Sequence, residues 1–154
     1  MTDKRGYSAV GLFNPKDPVN VGSVVRACGN YGVSLVAIEG RRYKRSCTDT
    51  GKFYRKIPLL TDINLQEVIP FDCIPVAVEL IEGAKCLYNY QHPERAFYIF
   101  GQEDGTLGKR VLGYCKHKIY IPTYSCMNLA ATVNVVLYDR AMKLNEYYIE
   151  GGSK

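Results

Sequence analysis

The sequence predicts an α/β fold with a mainly parallel sheet flanked by helices. Three observations carry that expectation. Short apolar runs alternate with amphipathic segments along the whole chain, as strands alternate with helices in such folds. Residues 7–38 read as strand, turn, helix, strand, a unit that implies a parallel pair with a right-handed crossover. A strand from His117 to Ile121 is stopped by Pro122, which has no N–H to give a sheet ladder, and leads through a polar turn into a long helix.

The elements follow in order. Tyr7 to Phe13 is β-prone and ends at Asn14-Pro15; Asp17, Pro18 and Asn20 continue a turn-rich link. A helix is expected from about Val19–Val21 to Asn30, with Val24, Val25 and Cys28 apolar and Gly32 at its C-terminal stop. Ser34 to Ile38 is a buried strand. Asn64 to Ile69 is a short helix, Ile74 to Leu80 a strand and Gly83 to Pro93 irregular. His92 precedes Pro93 with no Cys or His partner in sequence, so it reads as a surface or turn residue. Ala96 to Phe100 is a strand, Leu107 to Cys115 a helix, and His117 to Ile121 the last strand. The closing helix runs from Asn128, a favoured starting residue, to about Tyr148. Its residues Leu129, Val133, Val136, Leu137, Ala141 and Leu144 recur at helical spacing.

The length of 154 residues suits one domain, residues 1–154, without repeats or a linker. With 47% hydrophobic and 23% charged residues, the chain can build a packed core rather than remain disordered. No apolar run approaches the roughly 20 residues of a membrane span, and the charged N-terminus lacks a signal peptide's apolar centre. Cys28, Cys47, Cys73, Cys86, Cys115 and Cys126 are scattered, with no C-x-x-C pair. They read as reduced thiols of a cytoplasmic protein with no structural disulfide and no metal site.

Charge is unevenly spread. Residues 1–56 hold eleven Lys/Arg against four Asp/Glu, whereas the remainder holds nine against eleven. Gly40 to Lys56 alone carries seven basic residues and one acid, interleaved with Tyr43, Phe53 and Tyr54. Cations neutralise phosphates and aromatic rings stack on bases, so Arg41, Arg42, Lys44, Arg45, Lys52 and Arg55 are candidate RNA contacts. The alternative is a solvated basic loop. Pattern alone suits a flavodoxin-like or Rossmann-like sheet, but the glycine fingerprints of dinucleotide and P-loop sites are missing.

Three stretches, in order, resemble the motifs of the SpoU (TrmH-like) family of SPOUT RNA methyltransferases. Asn14 to Gly32 (NPKDPVNVGSVVRACGNYG) resembles the first, an N-x-G-x-x-x-R core. Phe100 to Gly108 (FGQEDGTLG) resembles the second, F-G-x-E-x-x-G. Ile121 to Asp139 (IPTYSCMNLAATVNVVLYD) resembles the third. The compact chain as a whole is similar to the TrmL-like members of the family. The resemblance implies a SPOUT fold with a deep C-terminal trefoil knot, S-adenosylmethionine held in the knot's loops, and a homodimer that completes each active site. The implied activity is transfer of a methyl group to a ribose 2′-hydroxyl of RNA, with tRNA favoured and rRNA the alternative.

Arg26, Asn20, Glu103 and Asn128 are the catalytic candidates by that likeness. A guanidinium stays protonated, so Arg26 suits orienting a phosphate or stabilising a forming alkoxide better than acting as a base. Its structural alternative is an ion pair, for instance with Glu103. Asn20 would position Arg26 or bind a phosphate, and it can cap its helix as well; Glu103, after a strand and Gly101, is a carboxylate that could hold Asn20 and Arg26 in place. Val78, Glu79, Gly101, Glu103, Ile121, Cys126, Met127 and Leu129 are the cofactor candidates, with Glu79 a ribose-hydroxyl acceptor and the apolar members alternatively plain core. Two departures stand out: Cys126 replaces the family's Ser, and the loop from Pro122 to Cys126 is short. A thiol is a weaker hydrogen-bond partner than a hydroxyl. A knotted RNA-binding protein that keeps its cofactor with weak catalysis is therefore a rival, as is base methylation. A generic nucleotide-binding protein is more distant.

Overall fold

The computed structural model describes residues 6–40 and 55–146. Its centre is a seven-stranded sheet in which every pair is parallel. The strands are β1 (Tyr7–Phe13), β2 (Leu35–Glu39), β3 (Leu59–Leu60), β4 (Ile74–Val78), β5 (Lys85–Cys86), β6 (Arg95–Phe100) and β7 (His117–Tyr120), in the order β3-β2-β1-β6-β4-β7-β5. The helices are α1 (Pro18–Asn30), α2 (Leu65–Val68), α3 (Gly108–Tyr114) and α4 (Leu129–Lys143).

Period-two alternation sends side chains of one strand to two different cores. On one face Val10, Leu12, Val36, Val76, Tyr98 and Phe100 pack under α1 (Val21, Val24, Val25, Cys28) and α4 (Leu129, Val133, Val136, Leu137). On the other, Ala9, Ala37, Ala77, Phe97 and Ile99 pack under Leu65 of α2 and Val111 of α3. Small residues on this second face make room for one large ring. A Cβ on Gly11 would lie 2.6 Å from Phe97 and 3.0 Å from Leu65, so β1 needs glycine there.

The structure moves several boundaries. β4 ends at Val78, and Leu80 beyond it is exposed. The segment 83–93, expected to be irregular, contributes the short strand β5 and a 3-10 turn at Leu87–Asn89. α4 stops at Lys143 rather than near Tyr148. Asn145 takes the left-handed conformation (φ 54°). It thereby lets Glu146 N–H reach Ala141 O at 2.8 Å and Asn145 N–H reach Met142 O at 3.3 Å. Those two bonds form a Schellman stop. Tyr147, Tyr148 and Ile149 lie outside the described residues.

His92 is the clearest correction. It is buried, with Nδ1 2.6 Å from Tyr98 OH and Nε2 2.7 Å from Asp139 Oδ2. Tyr98 lies six residues on, in β6, and Asp139 lies 47 residues on, in α4. Arg140, 2% exposed, donates to Tyr98 OH (3.0 Å) and to the carbonyls of Pro93 (2.7 Å) and Glu94 (2.8 Å). Because Arg140 only donates, Tyr98 must accept from it and give its own proton to His92 Nδ1. His92 is then neutral, with Nε2–H donating to Asp139. Burial lowers its pKa, and the Asp139 hydrogen bond only partly opposes that.

Cys28, Cys73 and Cys115 are buried, Cys86 is half-buried and Cys126 is exposed; all five are free thiols. Cys47 lies outside the described residues.

Candidate active site

The site lies beyond the carboxyl edge of the sheet. Leu12 of β1 is level with Phe100 of β6, Phe100 with Val78 of β4, and Val78 with Ile119 of β7. The loops that begin at Asn14, Gly101, Glu79 and Ile121 therefore emerge side by side. In open α/β sheets this edge, where the strand order reverses, is the ligand-binding crevice.

Three of these loops are tied together by side chains. Asn128 caps α4: its Oδ1 accepts from Ala130 N–H at 2.9 Å and Ala131 N–H at 3.2 Å. That use of the oxygen turns Nδ2 outward, where it donates to Asn20 Oδ1 at 2.8 Å. Asn20 in turn gives its Nδ2 to Glu103 Oε1 at 3.3 Å. Glu103 also accepts from Lys16 N–H at 3.0 Å and Asp17 N–H at 3.5 Å. The polarity of this chain is set at both ends: helix N–H groups orient Asn128, and Glu103, when ionised, can only accept. Burial alone would raise the Glu103 pKa, but the N–H groups of Lys16 and Glu103, the Asn20 amide and the Asp17 N–H outweigh it and hold the carboxyl below its usual value. Asn20 is not the cap of α1, as its helix-start position allowed; Asp17 is, accepting from Val19 N–H at 2.9 Å. A parallel tie joins Asn14 Nδ2 to Gln102 Oε1 at 2.7 Å.

Arg26 stands apart from this cluster. Six residues after Asn20, it is displaced about 9 Å along α1 and rotated by about 240°. It is exposed, and among the described residues it makes no hydrogen bond or ion pair. The alternative of an Arg26–Glu103 ion pair is not formed: the Glu103 carboxylate accepts from Lys16, Asp17 and Asn20 instead.

A cleft of about 240 Å³ opens beside the relay, lined by Val78, Glu79, Phe100, Gly101, Gln102, Glu103, Gly105, Cys126, Met127, Leu129 and Thr132. A neighbouring hollow of about 110 Å³ shares Val78, Glu79, Met127 and Thr132 and adds Leu80, Tyr120 and Ile121. All eight residues singled out as cofactor candidates thus line one of the two. Glu79 lies in both. Its Oε1 accepts from Leu107 N–H at 3.2 Å, while Oε2 is buried with no protein partner. Sequence reasoning missed Thr132, Gln102, Leu80, Tyr120 and Phe100; Gly105, like Gly101, is a glycine at which backbone can approach a ligand closely, and it does line the cleft. Thr132 was findable, since it lies four residues after Asn128 and so on the same helix face.

Among the described residues no group of His, Cys, Asp and Glu could hold a metal ion, and no helix is long and apolar enough to cross a membrane. Of the basic candidates only Arg55 is described, and it is exposed. Arg41, Arg42, Lys44, Arg45 and Lys52 lie outside the described residues, as do Tyr43, Phe53 and Tyr54.

An open parallel α/β protein with a ligand-sized cleft beyond its strand ends, edged by an amide–carboxylate relay, is the class this geometry defines. The sequence profile of the SpoU rRNA Methylase family matches residues 8–138, and the chain belongs to that family. No curated protein matches the sequence. Among solved structures, the fold is similar to the SpoU methyltransferase AviRb from Streptomyces viridochromogenes in complex with AdoMet (TM-score 0.80, 18% identity, 92% of this chain and 59% of that one). It is also similar to the TrmH/SpoU tRNA modifying enzyme of A. aeolicus (TM-score 0.79, 19% identity, 93% and 79%). A third similar structure concerns 2-OH methylation of C/U34 on tRNA (TM-score 0.76, 20% identity, 91% and 92%). The chain thus spans less than two thirds of AviRb but nearly all of the third protein.

Proposed function

We propose that this protein is an S-adenosylmethionine-dependent RNA methyltransferase that modifies a ribose 2′-hydroxyl, on tRNA in preference to rRNA, as a cytoplasmic homodimer. The observation that carries the reading is the Asn128–Asn20–Glu103 relay, which joins the three family motifs at the mouth of one cleft.

The cleft suits the cofactor on its own chemistry. Val78, Ile121, Met127 and Leu129 offer apolar walls, and the orphaned Oε2 of Glu79 is an acceptor for a hydroxyl or amine donor. When bound, S-adenosylmethionine supplies an electrophilic methyl group on sulfur. The chain's part is to bring a ribose hydroxyl to it, since orientation is a large share of such catalysis. Arg26, exposed and without a partner among the described residues, is available to an RNA phosphate or a forming alkoxide. The relay fixes the start of α1, and Arg26 is carried about 9 Å further along the same helix.

The dimer is supported by the outer face of α4. Leu129, Val133, Val136 and Leu137 are used within the protomer, but Val135, Tyr138 and Met142 are exposed at four-residue and three-residue spacing. A two-fold mate would cover them, and would bring Arg26 of one subunit beside the cleft of the other. The tRNA preference rests on the structure concerned with C/U34 methylation, most of whose chain this one spans. The knot proposed for the C-terminal half belongs to the same reading.

One observation favours a second reading. Cys126, an exposed thiol, lines the cleft where the family has Ser. A thiol there fits a protein that binds RNA and cofactor with weak turnover.

Calorimetry should show S-adenosylmethionine or its demethylated product binding to the folded dimer; no heat with either compound would rule out the enzyme. Mixing an Arg26→Ala subunit with a cleft-mutant subunit should restore one working site of two. A light-scattering mass of one chain at full activity would exclude the shared site.

A further inference from the structure

Between β7 and α4 the chain crosses the mouth of the cleft in the loop from Pro122 to Met127. Both ends of this loop belong to the site: Ile121 lines the smaller hollow, Cys126 and Met127 line the cleft, and Asn128 begins the relay. Its crown is Tyr124, whose relative exposure is 112%, the largest of any apolar side chain described. Thr123 Oγ1 donates to Ser125 O at 2.8 Å, and that bond closes a turn around Tyr124. The Tyr124 hydroxyl has no partner among the described residues, so the ring is neither packed nor anchored. Aromatic rings carry a large apolar surface and normally bury it. Here a local hydrogen bond braces the turn whose crown leaves the ring in water, two residues from the cleft wall.

We propose that Tyr124 is a stacking platform for an unpaired base next to the ribose that receives the methyl group. The inference rests on the RNA-methyltransferase reading and deepens it, since it makes a single-stranded or loop nucleotide the substrate class. Every base has a π-face, and recognition of unpaired RNA relies on splaying bases onto such rings. A rigid duplex holds its bases stacked on one another and offers Tyr124 none. Phe71 provides an internal control. It is equally exposed (106%) but lies just before β4, at the amino edge of the sheet and away from the cleft.

The test uses unfractionated tRNA as methyl acceptor and labelled S-adenosylmethionine as donor. Tyr124→Ala should lower kcat/KM for the RNA by about 5- to 150-fold, the range that base–aromatic stacking supplies. The loss should fall on KM for RNA, with cofactor affinity by calorimetry unchanged. Tyr124→Phe should retain nearly full activity, and Phe71→Ala should behave as wild type. The chain has no tryptophan, so Tyr124→Trp introduces a single reporter. Its fluorescence should be quenched by tRNA and by a short unstructured oligoribonucleotide. Wild-type kinetics for Tyr124→Ala would overturn the proposal, and so would a parallel loss of cofactor affinity or a fall in dimer mass. If the wild type methylates no RNA, the enzyme reading fails by itself. The quenching experiment then still decides whether Tyr124 stacks on bases, and an unquenched reporter would refute it.

Discussion

Replacing Asn20 by Asp tests the polarity of the relay while leaving its shape. The new side chain is nearly isosteric and still offers Asn128 an acceptor, so the 2.8 Å bond between them is kept. On the other side the donor to Glu103 becomes a second carboxylate oxygen about 3.3 Å away. At that separation, with full solvent screening, two unit charges repel by about 1.3 kcal/mol. The lost hydrogen bond contributes about 1 kcal/mol more. That repulsion opposes ionisation, so Glu103, now held below its usual value, should titrate upward in the variant. A carboxylate held low in this way stabilises the fold above its unfolded pKa, and that contribution is lost as pH falls through the folded value. In Asn20→Asp the loss should begin at higher pH. Methyl transfer should fall at least tenfold in kcat/KM because the start of α1 is no longer fixed, with cofactor affinity little changed. Carboxyl-carbon NMR of Glu103 and steady-state kinetics read the two effects. An unmoved Glu103 titration with wild-type kcat/KM would refute the relay.

Arg26→Ala should abolish methyl transfer while calorimetric cofactor affinity stays within about twofold; wild-type turnover would remove Arg26 from the chemistry. Replacing Arg41, Arg42, Lys44 and Arg45 together by Ala should weaken RNA binding and flatten its salt dependence, because fewer counterions are released. Unchanged affinity and slope would make that segment a solvated loop. His92 has its pKa lowered from 6.5, chiefly by burial, so its contribution to stability is complete above about pH 6.5 and declines as pH falls through the lowered folded value. Thermal unfolding between pH 7.5 and 5 should show that decline in wild type and a flatter profile in His92→Gln; parallel profiles would contradict a neutral buried His92.

Where periodicity was strong, sequence and structure agree closely. β1 spans Tyr7–Phe13 as expected, and α1 begins at Pro18 because Asp17, two residues before the apolar run, caps it. Met127 and Leu129 come to the cleft, and Ile121 to the hollow beside it, because Pro122 ends a strand and Asn128 starts a helix, both local signals. What sequence could not show depends on distant pairing. His92 looked like a turn residue because its burial depends on Asp139, 47 residues away in α4, which joins the nearby Tyr98 of β6 at its ring. Arg140 carried no sequence signal of its own; its partners are the carbonyls of Pro93 and Glu94, 47 and 46 residues away. Asn145 ended α4 early because an Asn can adopt the left-handed conformation of a helix stop. The three motifs were readable one by one, and so was Glu103 as a carboxylate to hold Asn20, which it does; the bond joining Asn128 to Asn20 needed the strand order that sets β1, β6, β4 and β7 side by side.

The most direct measurement is a ribose-methylation map of RNA from cells with and without this protein, repeated with the Arg26→Ala variant restored. The expected result is the loss of 2′-O-methylation at a tRNA nucleotide in a single-stranded loop, recovered by the wild-type chain and not by the variant. An unchanged map at every ribose, or a methyl group found on a base instead, would contradict the assignment.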